Sequence, residues 1–70
     1  MTKKEYKVKS LHITPYGNVY RLQIFKENSS IRGFFNSIKQ AFNYALPLAQ
    51  QDNAVIVIHN HNSVEHVYKF

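Results

Sequence analysis

Only one stretch of this chain has the residue spacing of a helix. Ile38, Ala41, Phe42, Ala45 and Ala49 fall on one helical face, while Lys39, Gln40, Asn43, Gln50 and Gln51 mostly face away. Ser37 and Gln40 have capping-box spacing, in which the hydroxyl accepts from the third helical N–H and the amide reaches back. The spacing predicts a helix from Ile38 to about Gln51, ending at Asp52-Asn53. Pro47 is expected to kink it, because proline lacks the donor N–H and crowds the preceding turn. The other apolar stretches read as strands. One helix covers one face of a sheet, so the other face is left open.

Near the N-terminus, Tyr6 and Val8 alternate with Lys7 and Lys9. The apolar phase then shifts by one at Ser10 and continues at Leu11 and Ile13, which predicts a β-bulge. Pro15-Tyr16-Gly17-Asn18 is turn chemistry. Val19 to Lys26 follows as a strand, with Tyr20, Leu22 and Ile24 on one face and Arg21, Gln23 and Phe25 on the other. Glu27-Asn28-Ser29-Ser30 is a second turn, and Ile31 to Phe35 is either a short edge strand or an extended lead into the helix. Ala54 to Ile58 is a continuous, β-branched apolar run, which predicts a central strand buried on both faces. After the turn Asn60-His61-Asn62-Ser63, Val64 to Phe70 forms the last strand. The expected fold is α+β, a single domain over residues 1–70. Its sheet is mostly antiparallel, with four strands, or five if Ile31 to Phe35 pairs. The order is β-β-α-β-β, with one helix packed on one face.

Composition sets the limits of function. With 70 residues and no Cys, the chain has no disulfide framework, no thiol nucleophile and no Cys-based zinc site. Its 44% hydrophobic and 14% aromatic content argues against disorder. No apolar run approaches the roughly 18 residues of a membrane helix. The first ten residues carry Lys3, Lys4, Lys7 and Lys9 without an apolar core, unlike a secretory signal, so the expected location is cytoplasmic. Stability without disulfides is expected to come from aromatic burial or from a partner chain, with Phe34, Phe35, Phe42 and Tyr44 in the core or at its edge.

Several of these features occur together in order. His12-Ile13-Thr14-Pro15 closes a strand before a Gly-containing turn, and Val19-Tyr20 opens the next. Phe35, Ser37 and Ala41 follow the spacing Phe-x-Ser-x-x-x-Ala, and Ala49-Gln50-Gln51 leads to a strand ending at His59. From about Leu11 to Phe70 the chain resembles the small bacterial and phage proteins filed as domain of unknown function 2188. It departs from their pattern at Tyr20, where Trp is common, and at His61-Asn62-Ser63, where Asp-Gly or Asn-Gly is usual. The resemblance implies the same fold and packing roles for His12 and His59. It implies no catalytic residues.

No catalytic constellation is visible. The acids Glu5, Glu27, Asp52 and Glu65 all read as exposed, no Ser sits in a nucleophile elbow, and Gly17 and Gly33 form no phosphate loop. Neither an enzymatic activity nor a cofactor or small-molecule substrate is expected. His12, His59 and His61 offer three imidazoles to a metal, against the simpler reading of hydrogen-bonded or solvated side chains, and no metal site is assigned. The strongest signal is charge: nine Lys and Arg against four Asp and Glu, a net +5. Alternation puts Lys7, Lys9, Arg21, Phe25 and Lys69 on the open face, together with Val67 and Glu65, and there cations meet phosphates and a ring meets bases. The expected partner is DNA or RNA. The alternative is a host protein or a second copy bound through Phe25 and Val67 on the same face. A third reading is a solvated face with no specific partner.

Overall fold

The computed structural model describes residues 7–60 and 63–70. The elements are β1 (Val8–Tyr16), β2 (Val19–Lys26), β3 (Ser30–Phe35), α1 (Ile38–Asp52), β4 (Val55–Asn60) and β5 (Ser63–Lys69). One five-stranded sheet has the order β3-β2-β1-β4-β5. Four neighbouring pairs make it up. β1 and β4 are parallel, whereas β1–β2, β2–β3 and β4–β5 are antiparallel.

The sheet is therefore mixed, and the order is β-β-β-α-β-β rather than β-β-α-β-β. The reason lies in Ile31 to Phe35. Lys26 N–H donates to the Ser29 carbonyl at 2.8 Å, closing a tight turn. The following residues then pair with β2, from Phe25 opposite Ser30 to Tyr20 opposite Phe35. Because β3 runs parallel to β1, a helical crossover from β3 delivers β4 parallel to β1 as well. It docks there with Leu11 opposite Ile56 and Ile13 opposite Ile58.

The phase change at Ser10 is a bulge. Val8 pairs with Lys26 and Ser10 with Phe25, which leaves Lys9 as the extra residue. Val8 and Leu11 would otherwise point to opposite faces, yet both are buried. Between β1 and β2, Tyr16 pairs with Val19, and Gly17 takes φ +64 at the first position of the two-residue loop. That is the place where a hairpin loop of this kind wants glycine.

Ser37 caps α1 by accepting from Gln40 N–H at 3.1 Å. The Gln40 side chain reaches back as expected, but accepts from Asn36 N–H, one residue earlier than in the usual box. At the other end Asn53 adopts the left-handed region (φ 54, ψ 39), and the N–H groups of Asn53 and Ala54 both donate to the Ala49 carbonyl. A single helix runs through Pro47. Pro47 and Asn43, whose carbonyl it leaves without a donor, are both on the solvent side, where water can serve.

Ala41, Ala45 and Ala49 are buried and recur every fourth residue, a small-residue stripe that lets the helix backbone approach the sheet. They pack on Val8, Leu11, Ile13, Leu22, Ile24, Ile56 and Ile58. The core is thus aliphatic, contrary to the expected aromatic core. Phe35 and Phe42 pack against its edge, whereas Phe34 and Tyr44 are each 56% exposed. Phe34 alternates onto the face away from α1, and Tyr44 sits on the helix flank with its ring 5.5 Å from that of Phe35. β4 is central but not buried on both faces: Ile56 and Ile58 are buried, while Val55 and Val57 are half-buried on the uncovered side. Among the described residues, no helix is long and apolar enough to cross a membrane.

Asp52 read as exposed, yet its Oδ2 accepts from Val8 N–H at 2.8 Å. This bond ties the last turn of α1 to the first residue of β1. Hydrogen bonds to charged groups contribute about 1.5–3 kcal/mol, and this one is part-buried. Asp52→Ala is expected to lower stability by about 1–3 kcal/mol, with Asp52→Asn, which keeps an acceptor, losing less. Urea denaturation midpoints of the two variants check this. Equal midpoints for Asp52→Ala and the parent would mean that the bond contributes nothing.

Candidate functional site: the uncovered sheet face

Cross-strand partners share a face, so the strand registers lay out the surface opposite α1. One row runs Phe34, Arg21, Thr14 across β3, β2 and β1. The next runs Arg32, Gln23, His12, Val57, Val67 across all five strands. A third runs Ser30, Phe25, Ser10, Val55, Lys69. His59 pairs with Val64 beyond a second register shift, between Ile58 and His59, that leaves Glu65 without a partner. The arginines and phenylalanines thus gather on β3 and β2, and the valines gather on β4 and β5 beside His59 and Lys69.

Two ring clusters stand on this face. At one end the Tyr16 and Phe34 rings lie 5.5 Å apart, and the Arg21 guanidinium carbon lies 5.5 Å from the Tyr16 ring centre. Tyr16 is 55% exposed. Arg21 Nε is buried and has no hydrogen-bond partner among the described residues. Nearer the middle, Phe25 meets His12 edge-on at 5.2 Å, and His12 stacks on His59 at 5.1 Å. The Arg32–Gln23 row, which also holds His12, lies between Phe25 and the Tyr16–Phe34 pair.

The histidines are joined directly. His12 Nδ1 and His59 Nε2 are 2.9 Å apart, and His12 Nε2 lies 3.2 Å from Ser10 Oγ. One imidazole must donate and the other accept, so the bond survives with one of the two rings charged and fails with both charged. Ser10, His12 and His59 stand in the order of nucleophile, base and orienter. However, β1 is paired on both sides from Ser10 to Ile13, so the N–H groups beside Ser10 and His12 belong to the sheet ladders and offer no oxyanion donors. Among the described residues no three His, Asp or Glu side chains are placed to hold a metal. His61 lies outside the described residues. His66 faces the helix side, with its ring 5.5 Å from that of Tyr68.

The His12 pKa is lowered from 6.5, first by burial and then by the neighbouring His59. An unfolded chain therefore takes up this proton at higher pH than the folded one. The associated stability is complete above about pH 6.5 and declines as pH falls from there through the lowered native value. Urea midpoints between pH 7.5 and pH 5 are expected to fall, and to fall less for His12→Gln. An equal fall in both proteins would show that His12 is not responsible.

The structure places Arg21, Phe25, Val67 and Lys69, of the residues singled out from the sequence, on the uncovered face, the first two on β2 and the others on β5. Lys7 and Lys9 lie apart. They line a shallow cleft with Glu27, Asp52 and Asn53 at the sheet end by the helix C-terminus. The bulge removes Lys9 from the cross-strand rows, and the two acids offset the lysine charge. Sequence reasoning missed Tyr16, Arg32 and Phe34. Their signal was the pairing of Ile31 to Phe35 as a strand, which aims Arg32 and Phe34 at the same face as Arg21.

On the helix side, a groove of about 270 Å³ lies between α1 and the edge strand β3, lined by Leu22, Ile24, Ile31, Phe35 and Tyr44 among others. Comparison with family models, with curated proteins and with solved structures finds no match to this chain.

Proposed function

We propose that this chain is a small, basic, non-enzymatic module that binds nucleic acid through the sheet face opposite α1. One observation carries the reading. Arg21, Arg32 and Lys69 occupy cross-strand rows of a face that also presents Phe25 and Phe34, whereas Glu27 and Asp52 occupy none of those rows. Such a face offers cations to phosphates and rings to bases. The net charge of +5 favours encounter with a polyanion. Cytoplasmic residence, a bacterial or phage origin and kinship with the domain of unknown function 2188 family belong to the same proposal.

A second reading has its own support. Val64 and Val67 are 56% and 48% exposed, and with Val55 and Val57 they form an apolar half of the face. A protein partner or a second copy, held by Phe25 and Val67, would cover them. Salt separates the two readings. Phosphate contacts make affinity fall steeply with salt, with a log–log slope of roughly −0.7 to −0.9 per phosphate neutralised. Affinity for mixed-sequence DNA and RNA oligonucleotides, measured across a salt series, is expected to show that slope. A protein that binds neither polymer at low salt, and that self-associates regardless of salt, favours the second reading.

A further inference from the structure

We infer that the face takes single-stranded rather than duplex nucleic acid, and that Tyr16, Phe34 and Arg21 form a base-stacking subsite at the β1–β2 turn. This rests on the nucleic-acid reading above and adds the class of ligand. Three observations converge on it.

The first is ring exposure. Phe34 and Tyr16 are more than half exposed, touch each other, and stand on an uncovered sheet face. A folded chain has no use for such rings in its own core. Aromatic faces stack on bases that are free of a duplex, whatever the base, because every base has a π-face. Paired bases are already stacked on both sides and present only their edges in the grooves. Side-chain rings on a sheet cannot reach between them without opening the helix.

The second is Arg21. Its Nε is buried beside the Tyr16 ring with no acceptor among the described residues, while the guanidinium lies over that ring. Buried donors of folded proteins are nearly always paired. A small shift of the exposed Tyr16 ring would open this donor to a phosphate or base oxygen, and the guanidinium over that ring adds cation–π contact to the same platform.

The third is spacing. Phe25 lies four residues from Arg21 along β2, and Arg21 pairs with Phe34. The Phe25 and Phe34 rings are therefore separated by roughly 13–14 Å along the strand direction. Arg32 and Gln23 lie between them. An extended strand laid along β2 and β3 would meet rings, then a cation and an amide, then rings again. A neutral, apolar protein surface would leave both arginines without a counter-charge.

Fluorescence anisotropy tests the inference with three labelled probes: a dT 12-mer, an rU 12-mer and a 12-base-pair mixed-sequence duplex. The parent protein is expected to bind at least one single strand about tenfold or more tightly than the duplex. Phe34→Leu and Tyr16→Leu keep apolar, strand-compatible side chains and remove the rings. Each is expected to weaken single-strand binding about tenfold and to leave duplex binding within about twofold. Circular dichroism melts establish that both variants are folded. If Phe34→Leu melts early, Tyr16→Leu carries the test alone. Duplex binding that equals or exceeds single-strand binding overturns this inference and leaves the nucleic-acid reading intact. So does unchanged single-strand affinity in the folded leucine variants. Failure to bind any of the three probes overturns the nucleic-acid reading itself.

Discussion

Replacing Arg21 and Arg32 together by Glu is expected to reduce nucleic-acid affinity by at least about a hundredfold at low salt and to lower the salt slope by about 2, one for each lost phosphate contact. The double replacement removes four charge units, taking the formal net charge from +5 to +1. The informative control makes the same change elsewhere. Lys7→Glu with Lys9→Glu also ends at +1, yet these lysines sit at the sheet end beside Glu27 and Asp52. That pair is expected to weaken binding by only several-fold, through the general field of the molecule. Site and net charge are thereby separated. Equal losses in the two double variants would mean that the chain attracts polyanions by overall charge and that the sheet face has no special part.

Ile56→Ala is expected to cost about 2–5 kcal/mol, the usual range for emptying a fully buried aliphatic position. Ile56 is 0% exposed, pairs with Leu11, and lies beneath the alanine stripe of α1. A chain of 70 residues has roughly 4–10 kcal/mol of stability in all, so this one change removes much of it. The melting temperature is expected to drop by roughly 10–30 °C. Val57→Ala, one residue away, is expected to cost less than about 1 kcal/mol, because its side chain stands half-buried on the uncovered face. Thermal melts of the two variants measure the asymmetry of the sheet. Losses of similar size would mean that both faces of β4 are covered in solution, as they would be in a tight dimer.

Local chemistry was legible in the sequence wherever a feature depends on near neighbours. The Ser37 cap, the span of α1, the glycine loop at Gly17 and the bulge before Ser10 all follow from residues within a few positions of one another. Topology did not follow, because strand neighbours are chosen across the whole chain. Ala54 to Ile58 reads as a strand buried on both faces, since apolarity alone cannot tell a covered valine from an uncovered one. The parallel β1–β4 pair is decided by where the crossover lands. Its result, Val55 and Val57 beside His12 and Phe25, has no local signature.

The candidate site divides in the same way. Arg21, Phe25, Val67 and Lys69 could be placed by alternation within their own strands. Lys9 could not, because the bulge at that residue breaks the alternation used to place it. Phe34 and Arg32 depended on whether a six-residue segment pairs, and Tyr16 on whether β1 continues past Pro15. The His12–His59 bond joins residues 47 positions apart, and it forms because the parallel register brings β4 against β1.

Amide NMR spectra recorded while a mixed-sequence duplex and then single strands are added at physiological salt test the central claim most directly. The expected result is a set of shifts confined to Tyr16, Arg21, Phe25, Arg32, Phe34 and Lys69, with the outer surface of α1, including Asn43 and Pro47's neighbours, unmoved. Shifts spread over α1, or an unchanged spectrum with the broad lines of a self-associated species, would contradict it.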